Sequence, residues 1–166
     1  MTNQSSRTRM MAMGLLLALG LLAMPVASWA APVAADFTLK DVLQGQDYTL
    51  TQFRGKVVMI NFFTFFCGPC REEMPDLNQV YHKYQGQGLQ TLGIALSSDP
   101  TQIRFLVKQL GLDYPVLIGN DQVSNAYGSV AVVPTTFIID KSGKVAYKIE
   151  GTRSKEEFEK MIRALL

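Results

Sequence analysis

Two runs of this chain are almost continuously apolar and rich in β-branched and aromatic residues: Val57–Phe63 and residues 89–96. Runs of that length and kind are strands buried on both faces. Between them the period changes. Cys70, Met74, Leu77, Tyr81 and Tyr84 recur at helical spacing, and Gly86-Gln87-Gly88 closes that helix. A second helix opens at Asp99-Pro100, carries Ile103, Phe105, Leu106 and Leu110, and stops at Gly111. Val116–Ile118 is a short strand, and residues 121–127 form a helical turn. Thr135–Ile139 and Val145–Glu150 are strands joined by the hairpin signal Asp140-Lys141-Ser142-Gly143. Residues 154–165 make a closing helix with Phe158, Ile162 and Leu165 inward, opened by a capping box of Ser154 and Glu157. Upstream, residues 36–39 and 48–50 predict short edge strands around a turn at Gly45. Parallel strands joined by helices, then an antiparallel hairpin and a helix, predict an α/β sandwich on a mixed sheet.

The pattern also sets off the first 30 residues. Arg7 and Arg9 precede an uncharged stretch from Met10 to Met24, Pro25 breaks it, and Ser28-Trp29-Ala30 offers small residues where a signal peptidase reads. Residues 1–30 are therefore expected to be a signal peptide cut after Ala30, or an N-terminal membrane anchor, with 31–166 as the single folded domain. Either form places the domain in a periplasmic or otherwise extracytoplasmic compartment. Of 16 Lys and Arg, only Arg7 and Arg9 lie in that segment, so the remainder balances its 14 Asp and Glu. No basic stripe is present, and a nucleic-acid partner is not expected.

The chemistry resides in Phe66-Cys67-Gly68-Pro69-Cys70, which holds the only two cysteines. They stand where the buried strand stops and the helix starts. A thiol at a helix N-terminus faces unpaired N–H groups and the positive end of the helix dipole, and both favour the thiolate. Structural zinc needs four ligands, and the only histidine, His82, reads as a surface residue, so no metal is expected. A structural disulfide closing so short a loop would stabilise little. The pair reads as a reversible dithiol–disulfide centre that needs no other cofactor.

Strand, Cys67-Gly68-Pro69-Cys70, helix, and a later Val133-Pro134-Thr135-Thr136 before a β-hairpin resemble the thioredoxin fold. Arg71-Glu72-Glu73-Met74-Pro75 after the cysteines, a helix–strand insert around residues 101–118, and residues 134–140 narrow this. Together with the N-terminal segment they are similar to the TlpA/ResA-like exported thioredoxins, over about residues 36–165. The resemblance implies a thioredoxin-like three-layer sandwich and a thiol–disulfide oxidoreductase that reduces protein disulfides. It makes Cys67 the nucleophile, Cys70 the resolving thiol and Pro134 a cis-proline facing them. Phe66, Gly68, Pro69, Val133 and Thr135 would line the surface that takes the partner chain, with Val133 offering backbone groups. It implies protein disulfide substrates, among them apocytochrome c or its maturation factors, and a membrane thiol–disulfide electron donor. Glu73 is expected to accept the proton of Cys70, one helical turn away, with Glu72 as the competing carboxylate.

Three positions depart from the resembled pattern: Phe66 replaces a Trp, Asn61 stands where cytosolic thioredoxins carry a buried Asp, and Val132 replaces a Gly two residues before the proline. Three other functions stay open on the sequence. One is a peroxiredoxin-type thiol peroxidase, which the Thr64 three residues before Cys67 would suit, although Ile60 replaces its proline. Another is a disulfide-forming oxidant, and the third is a binding module built on the Phe65-Phe66 surface.

Overall fold

The structure, a computed structural model, describes residues 31–166. The expected signal or anchor segment, with Trp29 and the cut after Ala30, lies outside the described residues. Among those described, no helix is long and apolar enough to cross a membrane.

Five strands form the main sheet: β3 (Val57–Phe63), β4 (Leu89–Ala95), β5 (Val116–Ile118), β6 (Thr135–Ile139) and β7 (Val145–Glu150). Their order is β5-β4-β3-β6-β7. β3, β4 and β5 run parallel; β6 is antiparallel to β3, and β7 to β6. Every residue of β3 and β4 is buried, the polar Asn61, Gln90 and Thr91 included, as their largely apolar composition leads one to expect. Side chains alternate along β3. Val57, Met59 and Phe63 meet α1 (Gly68–Tyr84), α2 (Pro100–Leu110) and α4 (Lys155–Arg163). Val58, Ile60 and Phe62 meet the other layer, which holds Val123 of α3 (Asp121–Ala126) and the N-terminal segment with Phe37, Leu39 and Phe53. The result is the expected three-layer sandwich.

Two details differ from the sequence pattern. β1 (Thr38–Lys40) and β2 (Asp47–Thr49) pair only with each other, in a separate two-stranded sheet turned at Gly45. They are tied to β5 by an isolated bridge from Asp41 to Leu117 rather than forming a sheet edge. On α1 the buried stripe is Cys70, Glu73, Met74, Leu77, Val80 and Tyr84, with Tyr81 only half-buried. The apolar pattern missed this tilt because one member of the stripe is a carboxylate.

Local chemistry fixes the ends. Asp99 accepts hydrogen bonds from the Thr101 and Gln102 N–H groups at the start of α2, and Gly111 ends it at φ +59°. Ser154 and Glu157 form the expected reciprocal capping box on α4.

Candidate active site

The buried strand β3 delivers its C-terminal end to the turn Thr64-Phe65-Phe66, and Cys67 is the N-cap of α1. Ser98, after β4, braces this turn: its Oγ accepts from Phe65 N at 3.0 Å and donates to Leu96 O at 2.7 Å. Cys67 and Cys70 are joined as a disulfide. The two sulfurs differ in surroundings: Cys70 is 1% exposed, whereas Cys67 is only partly buried. The Cys70 N–H donates to Cys67 Sγ at 3.2 Å. After reduction that N–H and the helix dipole both favour a thiolate on Cys67, the sulfur a partner can reach.

Facing the pair is the loop before β6. The Val133–Pro134 peptide bond is cis, and Pro134 is buried. The Val133 carbonyl oxygen lies 3.7 Å from Cys67 Sγ. Thr135 Oγ1 donates to Val132 O at 2.7 Å, and Gly151 N donates to Pro134 O at 2.8 Å, so the loop is held from both sides. Thr135 is itself buried and braces the loop from below. Around the disulfide, Gly68, Pro69 and Val132 are exposed, and Phe66 is 82% exposed, resting edge-on against Phe65 at 5.0 Å. A polar pocket of about 320 Å³ opens alongside, lined by Thr64, Ser97, Asn120, Ser124 and Val133. A larger concavity, about 700 Å³, lies elsewhere, between the β1–β2 hairpin and the start of α2.

Beneath the disulfide sits a buried polar cluster. Glu73 is 5% exposed. Its Oε1 accepts from Arg153 N at 2.9 Å, and its Oε2 from Asn61 Nδ2 at 3.3 Å. Asn61 also donates to Thr136 Oγ1 at 2.9 Å. Burial raises the Glu73 carboxyl above the usual carboxylate range, against the opposing pull of the Arg153 and Asn61 hydrogen bonds. Glu72 is exposed. The structure therefore leaves Phe66, Gly68, Pro69, Cys67 and Val133 accessible around the disulfide, with Cys70 and Pro134 buried behind them, and places Glu73 within the stripe that buries Cys70. The sequence pattern missed three supports: Thr136, the Arg153 backbone and Ser98. Thr136 carried a weak signal, being one of two threonines that open the buried strand β6; the other two carried none.

The AhpC/TSA family profile matches residues 31–148. The thiol-disulfide oxidoreductase ResA of Geobacillus thermodenitrificans is 41% identical over 133 residues, covering 80% of this chain and 75% of that protein. ResA of Bacillus anthracis is 39% identical over 135 residues, covering 80% and 76%. Among solved structures, a thiol:disulfide interchange protein of the thioredoxin family from Chlorobium tepidum superposes with a TM-score of 0.77 at 30% identity, covering 82% of this chain and 97% of that one. A disulfide at a helix N-terminus, a buried partner sulfur and these relatives agree, and the chain belongs to the AhpC/TSA family, among its ResA-like thiol-disulfide oxidoreductases of thioredoxin fold.

Proposed function

We propose that the protein is an extracytoplasmic reductant of protein disulfides, acting through the Cys67–Cys70 dithiol with no other cofactor. The reduced Cys67 thiolate attacks a partner disulfide. The Cys67–partner bond forms, and the other partner sulfur leaves and takes up a proton. Cys70 then gives its proton to Glu73 and attacks Cys67 Sγ. The Cys67–Cys70 bond forms, and the second partner sulfur leaves and is protonated. Two electrons and two protons pass to the partner, and a membrane thiol–disulfide donor restores the dithiol. We infer apocytochrome c, or a factor that matures it, as the partner.

The observation that carries this reading is the asymmetry of the pair: a reachable Cys67 beside the Val133 carbonyl, and a buried Cys70 in the stripe of the raised Glu73 carboxyl. The reducing direction is supported by Gly68-Pro69, which places no cationic side chain beside Cys67 to stabilise its thiolate further.

The test is capture with Cys70→Ser expressed in the extracytoplasmic compartment. Reductant-sensitive adducts on Cys67, carrying cysteine peptides of apocytochrome c or of its maturation factors, are expected. Adducts equally abundant in Cys67→Ser, or peroxide-dependent turnover by the wild-type protein, would overturn the proposal.

A further inference from the structure

Next to the Glu73 cluster lies a buried group that the exchange reaction does not use. Tyr114, between α2 and β5, is 2% exposed, and its hydroxyl has no hydrogen-bond partner among the described residues. A buried donor left unpaired is destabilising, so its retention needs a reason.

The loop that carries it is fastened to α1. Asn78 Nδ2 donates to Gly111 O at 3.0 Å, Asn78 Oδ1 accepts from Asp113 N at 2.9 Å, and His82 Nε2 lies 2.7 Å from Asp113 Oδ2. So fastened, the Tyr114 ring lies over β4 at Gly93, with Cε2 at 3.3 Å from where a Cβ of residue 93 would stand. Gly93 is the register partner of Asn61 on β3, and Asn61 is in turn the partner of Thr136 on β6. One row across the sheet thus reads Thr136, Asn61, Gly93. The missing side chain at 93 admits the phenol edge over the position paired with Asn61, the residue whose amide holds Glu73.

We propose that Tyr114 is a positioning residue of the proton site, its hydroxyl donating to the Glu73 carboxylate when that carboxylate is charged. This rests on the reading of Glu73 as the proton acceptor. Burial, and then the charge of Glu73, push the Tyr114 hydroxyl above the usual phenol range, so it remains a donor at working pH. The other groups that bear on Glu73 are the Asn61 amide, Arg153 through its N–H and its charge, and Asp76. Of these, only Asp76 opposes ionisation. A neutral donor that strengthens as the carboxylate charges would hold the proton affinity of Glu73 low enough for the proton to be released again in each cycle.

The experiment is carboxyl-carbon NMR titration of the reduced protein, wild type against Tyr114→Phe. The Glu73 titration is expected to move up by about one pH unit in the variant, the size set by a hydrogen bond to a charged group. The acid limb of the disulfide-reduction rate should move with it. In the wild type, the Tyr114 Cζ resonance should titrate together with Glu73, a readout that needs no variant. Tyr81→Phe, which alters the ring packed against Tyr114 at 6.2 Å, should leave the Glu73 titration in place. An unmoved Glu73 titration in Tyr114→Phe, or equal shifts in both variants, would overturn the inference. Glu73→Gln separates the two ideas. If it keeps the wild-type acid limb, Glu73 is not the acceptor, whatever the NMR titration says of Tyr114.

Discussion

The side-chain amide of Asn61 on β3 donates to the Glu73 carboxylate on α1 at 3.3 Å, while its second hydrogen bond, at 2.9 Å, goes to Thr136 on β6. An amide cannot take a proton at neutral pH, so this strand position holds an acid without being one. The ionisable group has moved to the helix that carries Cys70, one turn along the same buried stripe. The proposed proton acceptor and the proposed resolving thiol therefore share one helix, and Asn61 holds the Glu73 carboxylate from the sheet.

This arrangement predicts an unusual pH dependence of stability. With its carboxyl raised by burial, folded Glu73 retains a proton that the unfolded chain has already released. Between the ordinary carboxylate range and the raised folded value, the native state binds more protons, so stability falls as pH rises and then levels off. Glu73→Gln should remove that fall. Its amide can accept from Arg153 N and donate to Asn61 once the Asn61 amide turns over, a turn that Thr136 can meet by donating its hydroxyl. Urea denaturation of both proteins from pH 4 to 8 checks this. Parallel stability curves would place the pH dependence on other groups.

The main elements were legible because each has a local cause. The continuous apolar runs of β3 and β4, the Asp99-Pro100 and Ser154–Glu157 helix starts and the Asp140–Gly143 turn act within a few residues of sequence. Cys67, Cys70 and Pro134 were legible from their motifs. What the pattern could not show depends on register. Nothing local says that Thr136 faces Asn61, or that Gly93 stands beside it; those are consequences of strand pairing across 75 and 32 positions of chain. The N–H of Arg153 has no side-chain signal at all. The separate β1–β2 sheet was misread for a related reason, since an edge strand and an isolated hairpin present the same short alternation.

In the reduced protein, Cys67 is expected to alkylate at least about tenfold faster than Cys70 between pH 5 and 8, through thiolate character and access together. Cys67 accepts the Cys70 N–H at 3.2 Å and is partly exposed, while Cys70 is 1% exposed. Mass spectrometry after a brief iodoacetamide pulse reads the order. Faster labelling of Cys70 would reverse the assigned roles.

Phe66 is a large apolar side chain left 82% exposed beside the disulfide. A residue so exposed contributes little to the fold, and Phe66→Ala should change stability by no more than about 0.5 kcal/mol. An aromatic at the centre of a docking surface contributes more, and kcat/KM for a protein disulfide should fall about tenfold. Reduction of a small disulfide such as oxidised glutathione should be nearly unchanged, because it is too small to cover the ring. An equal loss with both substrates would show that Phe66 acts on the cysteine pair rather than on the partner.

Gly93→Ala probes the same row of the sheet from its emptiest position. The new methyl would stand 3.3 Å from Phe63 Cε1, Tyr114 Cε2 and Val116 Cγ2 at once. A single contact that tight can be relieved by moving one neighbour. Here two of the three belong to strands paired on either side of β4, and the third sits on the loop that Asn78 and His82 fasten to α1. None can retreat freely. Replacing glycine inside a strand normally gains about 0.5–1 kcal/mol by reducing the freedom of the unfolded chain. Overpacking costs about 1–3 kcal/mol and should exceed that gain. A net destabilisation of about 1–2 kcal/mol in urea is expected, with an unchanged denaturant slope if the fold is kept. Tyr114 is the neighbour without strand hydrogen bonds, so it should take most of the displacement. The acid limb of the reduction rate should then shift in the direction expected for Tyr114→Phe. A neutral or stabilised Gly93→Ala protein with a wild-type pH profile would mean that the ring does not press on the strand beside Asn61, and that the row from Thr136 to Gly93 ends without it.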